Sequence, residues 1–273
     1  MNKIAILLFV IIAGGVFYYF YHQGAIPTTL VSVSKLPKKR PENLVIEVSK
    51  QGGMLPVSKS IYISQDSSYQ KHRAYQTENK TYFTLNASEL DQIYATFVNN
   101  KFDKLKTHNI RTHDRGGVSI FLRINRTTYK IHDSGSTYIH KGSKAAFSNI
   151  LSSIKSLVNK KLTPLKQDFE VKIDSNITQL SKSGYLGSHT AGISHGFQKN
   201  QPIPGSLSFR LLPGKHLLRI NFTTKAALPN GKNYLAGDLT FTVTSDTKGV
   251  MVKMPAPKDS LNNRQKLGLS VYQ

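Results

Sequence analysis

The sequence predicts an α+β domain followed by an all-β sandwich, with a transmembrane helix in front of both. Three observations predict this class. From Ile4 to Phe20 the chain carries no charge. Between Leu44 and Leu162 two apolar faces of helical period alternate with short β-rich runs, the pattern of two helices laid on an antiparallel sheet. Beyond Pro164 the helical period vanishes and strand-like runs between turn residues take over. At 273 residues the chain is long enough for two domains of ordinary size. With 39% hydrophobic and 10% aromatic residues it is too apolar to be disordered. Cysteine is absent. That excludes disulfide scaffolds, thiolate zinc sites, iron–sulfur clusters, thiol catalysis and a lipoprotein anchor, since each requires the sulfur.

Residues 1–23 read as the membrane segment, because an apolar helix of about 17 to 25 residues spans a bilayer. A cleaved secretory signal is the competing reading, with a shorter apolar region of about 7 to 15 residues and a small-residue site, offered here by Ala13, Gly14 and Gly15. The aromatic run from Phe17 to Tyr21 favours an uncleaved anchor, since such rings settle at the headgroup level. Lys3 lies on one side of the span and Lys35, Lys38, Lys39 and Arg40 on the other, so the positive-inside rule does not fix the orientation. A short tail before the span and a long body after it favour export of the body. The expectation is a single-pass protein of the inner (cytoplasmic) membrane, its bulk periplasmic, in contact with the lipid bilayer through the N-terminal helix. Residues 24–43 hold Pro27, Pro37 and Pro41 without helical period and read as a linker, either solvated or touching anionic headgroups.

Residues 44–162 read as the α+β domain. Leu44 to Val48, Ser60 to Ser64 and Thr81 to Leu85 are strand-like. Asn86 with Glu89 three positions on has capping-box spacing. Leu90, Ile93, Tyr94, Phe97 and Val98 then fall on one face of a helix. Val118 to Ile124 and Thr127 to Ile131, about Asn125 and Arg126, form a hairpin. A second helix begins near Ser143, with Phe147, Ile150, Leu151, Ile154, Leu157 and Val158 as its apolar face.

Residues 163–273 read as the sandwich. Asp168 to Ile173 alternates as a strand, and Ser181 to Gly205, rich in glycine, reads as a long loop or two joined turns. Ser206 to Leu212 and His216 to Phe222 pair about Pro213 and Gly214, and Leu239 to Val243 and Gly249 to Met254 add further strands. The stretch LPGKHLLRI from Leu212 to Ile220, with GDLTFTV from Gly237 to Val243, resembles the closing hairpin of immunoglobulin-like β-sandwiches in exported bacterial proteins. The resemblance implies an immunoglobulin-like sandwich for this half. Copper carriers of that broad group are similar here, but their metal-site histidines have no counterpart, so the resemblance implies a fold without a ligand. The first domain resembles no family.

Candidate chemistry is sparse. His132, Asp133 and Ser134 are the residue types of a hydrolase triad, but neighbouring strand residues point to opposite faces, and a triad must converge. The run therefore reads as a turn, with His113 a further base or ligand near His132. His189, His195 and His216 are the candidate metal ligands, since three converging imidazoles suffice for zinc or copper. Their spacing matches no rigid metal motif, and no cofactor is expected.

The net charge of +22 is spread over all three parts, which argues against a nucleic-acid reader, where Lys and Arg gather on one face. The densest group is Lys101, Lys104, Lys106, Arg111 and Arg115, with Arg123 and Arg126 on the adjacent hairpin. The functional expectation is a membrane-anchored extracytoplasmic binding or scaffolding protein that meets an acidic protein, polysaccharide or phosphate-bearing envelope component through those residues. The alternative is a metal-dependent or hydrolytic envelope enzyme.

Overall fold

The computed structural model describes residues 14–16, 18–20, 33–111, 115–199, 201–226, 233–254 and 267–273. The described residues are mostly strand, at 49% strand to 24% helix. Most of residues 1–23, read above as a transmembrane helix, lies outside the described residues. Residues 14–16 and 18–20 are helical, and among the described residues no helix is long and apolar enough to cross a membrane. The expected N-terminal anchor is corrected accordingly, and with it the placement in the inner membrane. An apolar run meets the length criterion by composition alone, whereas a span also needs one continuous helix of that length.

The chain divides into two compact units. The first takes in residues up to Leu55, Lys59–Gln70 and Tyr82–Lys160. The second takes in Lys161–Gln273 together with Pro56–Ser58 and Lys71–Thr81, stretches that the sequence reading leaves in the first domain.

In the first unit, β1 (Val45–Gly52), β2 (Leu55–Ser64), β3 (Ser68–Ala74), β4 (Thr77–Phe83), β6 (Gly117–Ile124) and β7 (Thr127–Asp133) form a six-stranded sheet in the order β4-β3-β2-β1-β6-β7. The tips of β2, β3 and β4 are the stretches assigned to the second unit. Ile46, Val48, Ile120 and Leu122 are buried, while the residues between them are more exposed, so one face of the sheet is covered. Helix α1 (Ala87–Asn99) buries Leu90, Ile93, Tyr94 and Phe97, and α2 (Lys144–Leu162) buries Ile150, Ile154 and Val158. The capping box forms as the sequence requires, with Glu89 N donating to Asn86 Oδ1 at 2.9 Å and Asn86 N to Glu89 Oε2 at 3.0 Å. A short ribbon pairs β5 (Thr107–Asn109) with β8 (Thr137–Ile139).

Part of the stretch read as a linker lies on this unit. Ser34 Oγ donates to Asp103 at 2.7 Å, Arg40 pairs with Asp91 at 2.6 Å, and Tyr94 OH donates to Pro37 O at 2.8 Å. Burial, with the charge of Asp103 nearby, pushes the Tyr94 phenol up to about 12.

The second unit holds two four-stranded sheets. One is ordered β11-β10-β13-β14, from β10 (Ser181–Ser188), β11 (Ile193–Phe197), β13 (Gly214–Thr224) and β14 (Tyr234–Val243). The other is ordered β12-β9-β15-β16, from β9 (Gln167–Ile173), β12 (Ser206–Leu211), β15 (Gly249–Lys253) and β16 (Gly268–Tyr272). Both feed one core, and Phe169 stacks on Phe241 at 5.1 Å. The all-β immunoglobulin-like expectation is corrected in two respects. A helix, α3 (Ser175–Leu180), follows β9, and β9 pairs in parallel with β15. The region read as a glycine-rich loop is the hairpin β10–β11. Its glycines hide the alternation, and at Gly184 the space is needed: a Cβ there would stand 2.6 Å from Asn221 O.

Replacing Asn86 by Ala is expected to cost about 1 kcal/mol of stability, by loss of the cap. Asp at that position is expected to keep most of it. Urea unfolding of the two variants measures both.

Candidate functional site

The sequence-predicted basic residues do not form one patch. Arg123 and Arg126 lie at the far end of the β6–β7 hairpin from Arg115, roughly 25 Å along a strand at about 3.3 Å per residue. There Arg123 faces Glu47 at 3.6 Å, both exposed. Lys101 follows α1 with a left-handed φ of 46°, and Lys104 pairs with Asp103 at 3.5 Å. Lys106 and Arg111 flank β5 and are exposed.

Arg115 is held by its surroundings. Its guanidinium donates to Asp133 Oδ1 at 2.8 Å, Thr137 O at 2.6 Å and Gly135 O at 3.2 Å. It also lies over the Tyr138 ring, 3.9 Å from the centroid. These contacts join the end of β7 to the start of β8.

The register of the ribbon then decides what is displayed. Lys106 O accepts from His140 N at 2.9 Å, His108 pairs with Tyr138, and Ile110 N donates to Ser136 O at 2.8 Å. Cross-strand partners share a face, so Lys106, His108, Tyr138 and His140 stand together. The rings of His108 and Tyr138 stack at 6.0 Å, and His140 meets His108 edge-on at 6.2 Å. Thr107, His108 and Asn109 are all exposed. Asp133 is engaged by Arg115 at 2.8 Å. Lysine, two imidazoles, a guanidinium and an aromatic ring on one narrow surface suit hydrogen bonding and charge pairing with an anion.

Beside the ribbon, His132 is gripped by two serines. Ser119 Oγ contacts its Nδ1, and Ser134 Oγ lies 2.6 Å from its Nε2. Ser119 sits opposite His132 in the β6–β7 register. Asp133 turns to Arg115 instead, so Ser134 and His132 have nucleophile–base spacing but the base is oriented by a hydroxyl and not a carboxylate. Burial and the nearby charges of Lys130 and Arg115 hold the His132 pKa below the usual imidazole value, with Asp133 opposing them. His113 lies outside the described residues.

The three candidate metal ligands are in three settings. His189 is exposed, and its carbonyl lies 3.3 Å from His72 Nδ1. His195 packs edge-on to Phe197 at 4.9 Å. His216 is fully buried, with Nε2 donating to Leu212 O at 2.8 Å and the Asn79 amide 3.0 Å away. Among the described residues no three His, Asp or Glu side chains stand together as a metal site. Burial is the main cause of a lowered His216 pKa, opposed by the bond to Leu212.

Sequence reasoning found Lys106, Arg111 and Arg115 but missed His108, Tyr138, His140 and Ser119. The hairpin turn at Asn125 and Arg126 carries the signal for Ser119, because counting outward from it sets Ser119 against His132. Strands of three residues give no period to read. No known protein family matches this chain, and no curated protein matches it.

Two pH predictions follow from the histidines. Since the folded pKa of His216 lies below its unfolded value of about 6.5, its stabilising contribution is complete above that pH and is lost as pH falls from there. Stability measured from pH 7 downward is expected to decline, with a smaller slope in His216→Gln. The His132 ring, followed by NMR, is expected to titrate below about 6.5 and to move upward in Lys130→Met, which removes one lowering charge.

Proposed function

We propose that the first unit is a binding module that holds an anionic partner against the β5–β8 ribbon. The observation that carries this reading is the shared face of Lys106, His108, Tyr138 and His140, backed by Arg115 over the Tyr138 ring at 3.9 Å. A fixed guanidinium–aromatic stack offers a preorganised surface, so less freedom is lost on binding. Lys106 and Arg111 supply exposed charge at its edge. The partner's required chemistry is a run of carboxylates, sulfates or phosphates, as on an acidic protein or polysaccharide.

Binding to polyglutamate, heparin and polyphosphate, measured over a salt series, tests it. The pair Lys106→Glu with Arg111→Glu is expected to weaken the preferred polyanion at least about tenfold, roughly 1.4 kcal/mol. The pair Arg123→Glu with Arg126→Glu, at the other end of the hairpin, is expected to change affinity little. Equal losses from both pairs would indicate attraction by net charge alone and reject the ribbon.

A hydrolase using Ser134 and His132 is the second reading, favoured by their 2.6 Å approach. Stoichiometric labelling of Ser134 by a fluorophosphonate, lost in His132→Ala, supports it. With a serine and not a carboxylate behind the imidazole, and Lys130 and Arg115 disfavouring its protonation, the expected result is no labelling.

A further inference from the structure

We infer that the second unit holds a separate binding site for a tetrahedral oxyanion, a phosphate or sulfate group, between the end of α3 and the ends of β10 and β13. A cavity of about 470 Å³ opens there, lined by Thr178, Ser181, Lys182, Gln201, Pro202 and Lys225. Among the described residues its polar lining comes from two lysines, a serine, a threonine and a glutamine, with no carboxylate. Four observations converge on an anion.

The first is an orphan hydroxyl. Ser181 is only 4% exposed, and its Oγ has no hydrogen-bond partner. Buried polar groups are nearly always bonded, so an exception calls for an absent partner. The hydroxyl has no bond to break in meeting an anion that enters the cavity.

The second is a break in register. Ser181 pairs with Thr224 and Ser183 with Thr223, which leaves Lys182 as the extra residue of a bulge. Bulges re-aim side chains, and this one brings both Ser181 and Lys182 to the cavity wall. Lys225 comes from the opposite side, where its N–H donates to Leu180 O at 2.8 Å and closes the end of α3.

The third is the absence of competing acid. No ion pair engages Lys182 or Lys225 among the described residues. The sequence contains no Asp or Glu between Asp174 and Asp238. Arg219, within that interval, reaches Asp238 at its boundary, at 3.3 Å.

The fourth is donor type. Two lysines are compact point charges with three donors each, which suits a compact anion met from several sides, whereas planar carboxylates favour the fork of an arginine. The cavity exceeds the volume of a bare oxyanion, which leaves room for an organic group on one oxygen and favours a phosphate or sulfate monoester.

This site shares no residue with the β5–β8 ribbon and stands independently of the function proposed for it. The test is a ¹H–¹⁵N NMR titration of the full chain with inorganic phosphate, sulfate and glycerol 3-phosphate, chloride balancing ionic strength. The expected result is a saturable shift of the Ser181, Lys182 and Lys225 amides, tighter for glycerol 3-phosphate if the monoester is the ligand and equal for phosphate if the free ion is. Lys182→Gln with Lys225→Gln should weaken binding at least tenfold and Ser181→Ala severalfold, while Lys106→Glu leaves it unchanged. Shifts that do not saturate, or are scattered over lysines across the surface, mean an adventitious ion only and overturn the proposal. Unaltered affinity in the double variant overturns it equally.

Discussion

The display of the candidate surface depends on Arg115. A two-stranded ribbon of three residues a side is not stable alone, and β5–β8 keeps its place because it is fixed at both ends. At one end Arg115 ties Asp133, Gly135 and Thr137 together and lies over Tyr138. At the other, Lys106 N donates to Ser143 Oγ at 3.0 Å and Lys106 O accepts from His140. The arginine most central to the basic cluster in sequence is therefore its scaffold, and the charges at its edge belong to Lys106 and Arg111.

A net charge of +22 opposes compaction by self-repulsion. The ion pairs present are mainly exposed, and such pairs contribute little. Apolar burial must hold the chain together: Ile46, Ile63, Phe97, Ile120, Leu122, Ile150 and Ile154 in the first unit, and Val171, Leu186, Leu235, Val250 and Val252 in the second, are each essentially inaccessible. The lysines are left outside, where any anionic ligand relieves part of the repulsion.

Long periodic elements were legible in the sequence. The capping box at Asn86, the faces of α1 and α2 and the β6–β7 hairpin each follow from spacing, because their burial is apolar and regular. Strands β3 and β4 were mostly not legible. Their buried faces carry Ser68, Gln70, Thr77, Asn79 and Thr81, polar residues that read as loop; Asn79 is bonded to Pro213 O at 3.2 Å and Thr81 Oγ1 at 3.1 Å, while Gln70 Oε1 is buried without a partner. The hairpin β10–β11 was hidden by its glycines, of which Gly184 is required for close approach. The apolar opening run, the loudest signal by composition, led to the expectation the structure corrects. Of the site, the charges were visible, but the face they share is set by a register that becomes defined only when β5 meets β8.

The central claim is that the ribbon face, and not net charge in general, receives the anionic partner. Hydrogen–deuterium exchange of the full chain with and without the preferred polyanion tests it most directly. Protection confined to residues 106–111 and 136–141 is the expected result. Protection centred on the Arg123–Thr128 turn, or spread evenly over the basic surface, would contradict the account.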